Sequence, residues 1–517
     1  MSKRKTATKK SAFSELGLKK TIDALKAEIQ ELYLSDDVPW IIGYSGGKDS
    51  SAVLQLTWLA IAELPTDKRT KTIEVISTDT LVENPIVALW VTKSHDAMMT
   101  KAKQDGMPFR PNRLTPSLED SFWVNLMGKG YPAPRHKFRW CTDRLKIQPS
   151  NRFITGIVNR SGEAILLLGS RKAESSARSK VMRKHEKYRV RDRLSPNGNL
   201  PNTLVYTPIE TWTNDDVWMF LMQIRNPWGF DNKDLLTLYQ GASPDGECPL
   251  VVDSSTPSCG DSRFGCWVCT LVDKDKSMTA MIQNDQDKDW MLPLLKLRNE
   301  LDFREADGTV NEKGDRDLRD FRRMGGYVQL HNDRLVHGPY LQAARERWLR
   351  LLLEAQVKIR EIGPKEVANI ELITLEEMQE IRRIWVVEKH ELEDSLPRIY
   401  QEAVGKEYPG PRLDDNLMLG PEELELLKEI CNGEPGHFEM MRELLSIEKQ
   451  QRTNSRRAGL FGLLEKSIKR HYYEDEKDAL EMARRHNSAR EKAQKGERAV
   501  VFSADEAEES DAQIPLI

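Results

Sequence analysis

The chain has 517 residues, a formal net charge of −3 and 31% charged residues, a length that predicts two or three structural units at about 150 residues each. No apolar run approaches the roughly 18–20 residues of a membrane span, and the basic start Met1–Lys10 lacks the apolar core of a signal peptide, so a soluble, cytoplasmic protein with no membrane partner is expected. Six cysteines in so long a cytosolic chain argue against a disulfide framework. Cys248, Cys259, Cys266 and Cys269 fall close together, with Cys141 and Cys431 alone, which favours a metal or cluster site over scattered core thiols.

Residues 1–20 read as a mobile basic arm, and Ile22, Leu25, Ile29 and Leu32 then recur at helical spacing, giving a first segment of 1–34. From 35 to 235 strand-like and helical patterns alternate. Strands are expected at Trp40–Tyr44, Thr72–Ser77 and Ala164–Gly169, and helices at Ser51–Glu63 and Asn84–Lys103. The alternation predicts an α/β fold, a parallel sheet with helices on both faces. Ligands of such sheets lie beyond the carboxyl ends of the strands, so Ser45–Ser50, Ser77–Thr80 and Gly169–Arg171 are expected to share one pocket. Residues 236–275 form a Cys-rich segment, 276–474 a mainly helical C-terminal region, and 475–517 a charged, partly disordered tail that is acidic over Ser503–Asp511. Within the helical region Thr374–Glu377 has capping-box form, and Gly420-Pro421 suits the start of a helix.

The segment Trp40-Ile-Ile-Gly-Tyr-Ser45-Gly-Gly-Lys-Asp-Ser50 carries the strongest signal. An apolar strand ends in two glycines, which let backbone N–H groups turn toward an anion. The next helix points its positive end at the same place. Lys48 adds a full charge, and Ser45 and Ser50 add hydroxyls. A Walker A loop cannot be fitted here, yet the loop is built to hold a phosphate chain.

Asp79, past the second strand, could hold a ribose hydroxyl or a metal, or cap the next helix. Arg171 and Arg178, after the strand Ala164–Leu168, present forks that match phosphate or sulfate oxygens, with Glu174 placed to orient one of them. Lys180, Arg183, Lys184, Lys187, Arg189, Arg191 and Arg193 follow with almost no neighbouring acid, a run that reads as nucleic-acid contact or as a solvated face. Trp212 and Trp218 read as packing residues around a helix starting at Thr213 or Asn214. Cys141 stands among Arg139, Arg144 and Lys146, surroundings expected to favour its thiolate. With Cys259, Cys266 and Cys269 it makes a four-thiolate set that suits zinc or a [4Fe–4S] cluster. Arg316 to Arg350 form a second basic stretch, partly offset by acids, that suits partner docking or ordinary packing.

These motifs together resemble the PAPS reductase-like branch of the PP-loop ATP pyrophosphatases, over roughly residues 35–275. Its carriers are SGGKDS at Ser45–Ser50, Asp79, G-x-R-x-x-E-S at Gly169–Ser175 and the Pro208–Trp218 segment. The cysteine segment from Glu247 to Thr270, with the length and the helical C-terminal half, resembles more narrowly the DndC-like sulfurtransferases of bacterial DNA phosphorothioation. That resemblance implies an adenine nucleotide alpha hydrolase-like fold and cleavage of ATP, with Mg2+, to AMP and pyrophosphate. It implies a [4Fe–4S] cluster on Cys141, Cys266, Cys269 and either Cys259, preferred, or Cys248. A cysteine desulfurase as sulfur donor, further DNA phosphorothioation proteins and DNA are the implied partners. Lys48, Asp49, Arg171 and Arg178 are the implied catalytic residues, and Ser45, Gly46, Gly47, Lys48, Ser50 and Asp79 the implied nucleotide contacts. The chain departs from the PAPS and APS reductases in lacking their C-terminal E-C-G-x-H-like element, and from the APS reductases in having only Cys141 where they place two adjacent cysteines. The same motifs also suit a tRNA-thiolating enzyme, or an assembly subunit that binds nucleotide without turning it over.

Overall fold

The computed structural model describes residues 10–136, 138–174, 176–191, 193–242, 264–303, 311–413, 418–452 and 459–494, without the side chains of 176–178, 312 and 491–494. Cys248, Cys259, the side chain of Arg178 and the acidic stretch Ser503–Asp511 therefore lie outside the described set.

Six strands form the main sheet: β1 Trp40–Gly43, β2 Ile73–Thr78, β3 Phe109–Leu114, β4 Ala164–Leu167, β5 Ser195–Pro196 and β6 Thr203–Tyr206, in the order β3-β2-β1-β4-β6-β5. All neighbours pair in parallel except β5, which runs antiparallel to β6. The central strands β1 and β4 are apolar at successive positions because both faces are covered. Trp40, Ile42, Ile165 and Leu167 join one core with Ile22 and Ile29 of helix α1 (Gly17–Leu34) and Val53 and Leu56 of α2 (Lys48–Ala62). Met98 of α3 (Pro85–Gln104) belongs to the same core. Ile41, Ile76, Ala164 and Leu166 point the other way, onto Ile154 and Ile157 of α4 (Gln148–Ser161). Helices thus cover both faces, as the alternation predicts.

The basic arm expected over 1–20 is cut short by the structure. Ser11 donates to Asp216 Oδ1, Ala12 N–H donates to Asp216 Oδ2 at 3.0 Å, and the Phe13 ring lies 5.2 Å from that of Trp212. Asp216 also closes the capping box of α6 (Asn214–Gln223) with Thr213; α5 (Ser176–Glu186) precedes α6 and α7 (Asn232–Gly241) follows it. Trp212 and Trp218 are buried, in the packing role expected of them.

Beyond the sheet the described residues are mainly helical, with α8 Lys276–Asn284, α9 Leu292–Asp302, α10 Glu312–Asp317, α11 Gln342–Ile362, α12 Leu375–Arg383, α13 Leu396–Val404, α14 Pro421–Ile430, α15 Pro435–Gln451, α16 Leu460–Arg470 and α17 Glu476–Gln494, and a two-stranded hairpin of β7 Leu330–His331 and β8 Arg334–Leu335. The Thr374–Glu377 capping box forms, each partner donating a backbone N–H to the other's side chain. Two compact units result: Met1–Asn125, Ala133–Val310 and Leu351–Glu377 in the first, and Leu126–Pro132, Asn311–Arg350 and Met378–Ile517 in the second. In the second unit Arg319 pairs with Asp315, Arg322 with Asp320 and Glu439, Arg345 with Glu391, and Arg350 with Glu402. Arg319, Arg322 and Arg345 of the second basic stretch thus serve internal packing, whereas the Arg350–Glu402 pair lies at the surface. No helix among the described residues is long and apolar enough to cross a membrane.

One contact below the site predicts a pH dependence. Ser77 donates to Tyr44 O at 2.6 Å, so the His95 ring 2.7 Å away donates to Ser77 through Nε2–H. Burial, then the charge of Arg113, pushes the His95 pKa down from 6.5 to about 4. The folded state keeps this ring neutral while the unfolded chain takes up a proton below its ordinary pKa. Stability is therefore intact above pH 6.5 and falls as pH drops toward about 4, by on the order of 3 kcal/mol at most. Urea midpoints across that window should show the loss, and His95→Gln should flatten it.

Candidate phosphate loop and thiol segment

The loop after β1 turns at Gly46, which has φ of +73°, and a Cβ there would come within 2.5 Å of Val91 Cγ2. Glycine is required both by conformation and by space. Gly47 is the extended residue ahead of α2. Ser50 fixes the loop from within: its hydroxyl accepts from Ser45 N–H at 3.1 Å and donates to Gly47 O at 3.0 Å. The Ser45 hydroxyl lies 3.1 Å from it. β1 sits where the strand order turns back, with β2 on one side and β4 on the other, the position at which open α/β sheets bind ligands.

The end of β4 closes on this loop. A Cβ on Gly169 would lie 2.8 Å from the carbonyl carbon and oxygen of Asp49. Two residues on, Arg171 Nε donates to Asp49 Oδ1 at 2.7 Å, and Lys48 Nζ lies 3.2 Å from Asp49 Oδ2. Arg171 is 4% exposed and also donates to Trp212 O at 3.3 Å. Arg171 thus pairs with Asp49, the carboxylate that also pairs with Lys48. Glu174 accepts the Arg171 backbone N–H at 2.9 Å.

Asp79 does not cap a helix. Its Oδ1 accepts from Leu81 N–H at 2.8 Å and its Oδ2 from Arg113 Nε at 2.8 Å, while Asn84 caps α3. Both oxygens are engaged in bracing the turn after β2. That turn carries the cysteine segment. Trp267 N–H donates to Val82 O at 3.0 Å and Asn84 N–H to Gly265 O at 3.3 Å. Cys266 Sγ lies 3.3 Å from Thr80 Oγ1 and 3.8 Å from Glu83 Oε1, and Lys146 Nζ is 3.1 Å from the same carboxylate oxygen. Cys269 N–H donates to Cys266 O at 3.1 Å, and Arg298 Nε donates to Cys269 O at 3.0 Å.

The expectation of a lowered Cys141 pKa is overturned. Burial, then the neighbouring Cys269, pushes this thiol up. Arg144 is turned to Asp120 at 2.8 Å and Arg139 to His136 at 3.2 Å. Cys266 is pushed up to about 12, chiefly by burial and then by Glu83. Lys146 is raised first by the charge of Cys266, with Glu83 and Cys141 adding to it. Among the described residues no group of three or more His, Cys, Asp or Glu is gathered tightly enough to hold a metal. The donor chemistry nonetheless fits a thiolate-bound centre. Cys141, Cys266 and Cys269 are donors of the kind such a centre takes, and a four-thiolate set would need Cys259 or Cys248 as well.

The basic run divides in two. Arg189 pairs with Glu210 at 2.6 Å, Arg193 with Glu31 at 3.0 Å, and Arg191 with Asp36. The expected lack of acidic partners is therefore wrong for these three, whose carboxylates come from α1, the turn after it and the β6–α6 turn. Lys180, Arg183, Lys184 and Lys187 are exposed, with Tyr188 beside them 63% exposed. Among the described residues Lys180, Lys184 and Lys187 make no ion pair.

Residues 39–228 match the sequence profile of the phosphoadenosine phosphosulfate reductase domain. An uncharacterized protein of Methanocaldococcus jannaschii is 26% identical over 209 residues, 39% of this chain and 36% of that protein. The chain thus spans about a third of the length of this curated relative. A PAPS reductase of Candida auris aligns with 39% of this chain and 84% of its own, at 13% identity and a TM-score of 0.24. A U34-tRNA thiolase of Methanococcus maripaludis with its [4Fe–4S] cluster aligns with 57% and 84%, at 12% identity and a TM-score of 0.25. At these scores neither likeness bears on the chemistry of the site.

Proposed function

We propose that the chain is an ATP-dependent sulfurtransferase that modifies the DNA backbone, a DndC-like enzyme. One observation carries the reading: the phosphate loop follows β1, and the thiol segment is hydrogen-bonded to the turn after the adjacent strand β2. A phosphate-activating site and a set of thiols thus hang from neighbouring strand ends. A non-bridging oxygen of a DNA phosphate attacks the α-phosphorus of Mg2+–ATP, and pyrophosphate leaves. A sulfur nucleophile then attacks the adenylated DNA phosphorus, and AMP leaves with the oxygen. A hydropersulfide nucleophile leaves a phosphorus–sulfur–sulfur link, which a second thiol opens to give the thiophosphate and a disulfide for a cellular thiol to reduce.

Lys48 and the loop amides stabilise the charge developing on pyrophosphate. Asp49, held by Arg171, keeps Lys48 in place, and Arg178 is the remaining candidate for a phosphate fork. A cysteine desulfurase supplies the sulfur, and the other phosphorothioation proteins are the expected partners. Products separate this reading from its competitors: AMP and pyrophosphate with sulfur in DNA support it, whereas sulfite or thiolated tRNA bases contradict it.

Cys141, Cys266, Cys269 and one of Cys259 or Cys248 would hold a [4Fe–4S] cluster, which when bound supplies a thiolate-ligated iron centre. Anaerobic purification is expected to give a brown protein absorbing broadly near about 400 nm. A colourless protein with stoichiometric zinc would contradict this assignment.

The exposed cations of α5 and the turn after it suit the DNA backbone. Neutralising Arg183, Lys184 and Lys187 together is expected to lower the slope of log affinity against log salt by up to about 0.9 per lost phosphate contact. An unchanged slope, in the isolated chain and with its partners, would make them an ordinary solvated face.

A further inference from the structure

Tyr239 lies on α7, beyond the matched residues 39–228, and no motif points to it. Its hydroxyl accepts the backbone N–H of Lys48 at 3.3 Å. This N–H opens α2, so no carbonyl of the helix takes it. A Cβ on Gly47 would lie 3.2 Å from the same hydroxyl, and Lys48 Nζ sits 5.4 Å from the centre of the ring. A phosphate cradled by the loop takes its N–H donors from this helix end. The hydroxyl and the phosphate therefore draw on one donor.

The ring is wedged between two aromatics. Trp218 meets it edge-on at 5.2 Å, and Phe264 does so at 4.7 Å from the other segment. Phe264 immediately precedes Gly265, which is bonded to Asn84, and Cys266, which lies against Thr80. Tyr239 is thus in contact with both the loop and the thiol segment. Burial raises its pKa and keeps the phenol neutral, so it meets Lys48 as a dipole that an anion displaces.

We propose that the Tyr239 hydroxyl competes with a nucleotide phosphate for the Lys48 N–H, and that its ring passes the occupancy of the loop to the Phe264–Cys269 segment. Tyr239 is then a positioning residue: nucleotide binding frees the ring and changes how the thiol segment is held. This rests on the reading of Ser45–Ser50 as a loop for the phosphates of ATP.

The test uses the full chain and α,β-methylene ATP. Calorimetry should show that Tyr239→Phe binds this probe about fivefold tighter than the wild type, the factor that one neutral hydrogen bond is worth. A purely structural tyrosine gives no gain. Hydrogen exchange of the peptide covering 264–270 should change on adding the probe in the wild type, with no such change in Tyr239→Phe. Equal or weaker binding by Tyr239→Phe, or the same exchange response in both proteins, overturns the proposal and leaves the phosphate loop standing. A wild-type chain that does not bind the probe overturns the loop reading, and the proposal with it.

Discussion

Lys48→Ala is expected to abolish formation of AMP and pyrophosphate from ATP while leaving the melting temperature unchanged. Among the described residues the ammonium touches only Asp49 and the face of Tyr239, and neither contact holds the core together. Asp49 keeps Arg171 as its partner when the lysine is removed. In the proposed reaction, Lys48 is the full positive charge that the loop itself offers to the leaving phosphates. Removing one donor aimed at developing charge costs about 10²–10³ in rate, and a loss at or beyond that size is expected here. Chromatography of the nucleotide products with differential scanning fluorimetry separates the two effects. ADP as the main product of the wild type would refute the loop assignment.

The largest expected loss of stability comes from Arg298→Ala. Its guanidinium is fully buried in α9, with Asp302 at 3.2 Å, 1% exposed, one turn away. It also donates to Cys269 O at 3.0 Å, to Asp273 O at 3.3 Å and to Val272 O. Truncation leaves three carbonyls short of a donor and Asp302 with Arg135, 2.9 Å away, as the cation the ion pairs retain. Breaking a buried ion pair by removing one partner costs about 3–5 kcal/mol. Arg298→Lys keeps the charge but cannot reach three carbonyls and a carboxylate, and should recover only part of the loss. Urea unfolding of both variants checks this. Full stability of the alanine variant would show that the turn after Cys269 holds itself.

The central strands and the loop were legible because their signals are local. β1 and β4 are short apolar runs, and the glycines and lysine follow within six residues. Strand β3 was not legible: Pro111, Arg110 and Arg113 break its apolar pattern. An edge strand tolerates this, since proline need not donate on its free side and charge discourages edge pairing. The partners of Arg191 and Arg193 lie more than 150 residues away in sequence, so a run that looks unpaired locally is half neutralised in the fold. Arg171 follows β4 as expected, but its pairing with Asp49 was not legible, because only the approach of Gly169 to the loop brings Asp49 within its reach. The cations around Cys141 misled for a similar reason: they have carboxylate or imidazole partners of their own, and burial then decides the thiol. Arg298 and Tyr239 carry no motif; only the packing of α9 and α7 reveals them.

The central claim is that this chain uses ATP to place sulfur on the DNA backbone. Its most direct test is mass spectrometry of nuclease-digested DNA from cells that contain the wild-type chain, the Lys48→Ala chain or no such chain. Phosphorothioate dinucleotides should appear only with the wild type, while thiolated tRNA bases from the same cells stay constant. Phosphorothioates that persist without the chain, or thiolated tRNA bases that disappear with it, would contradict the account.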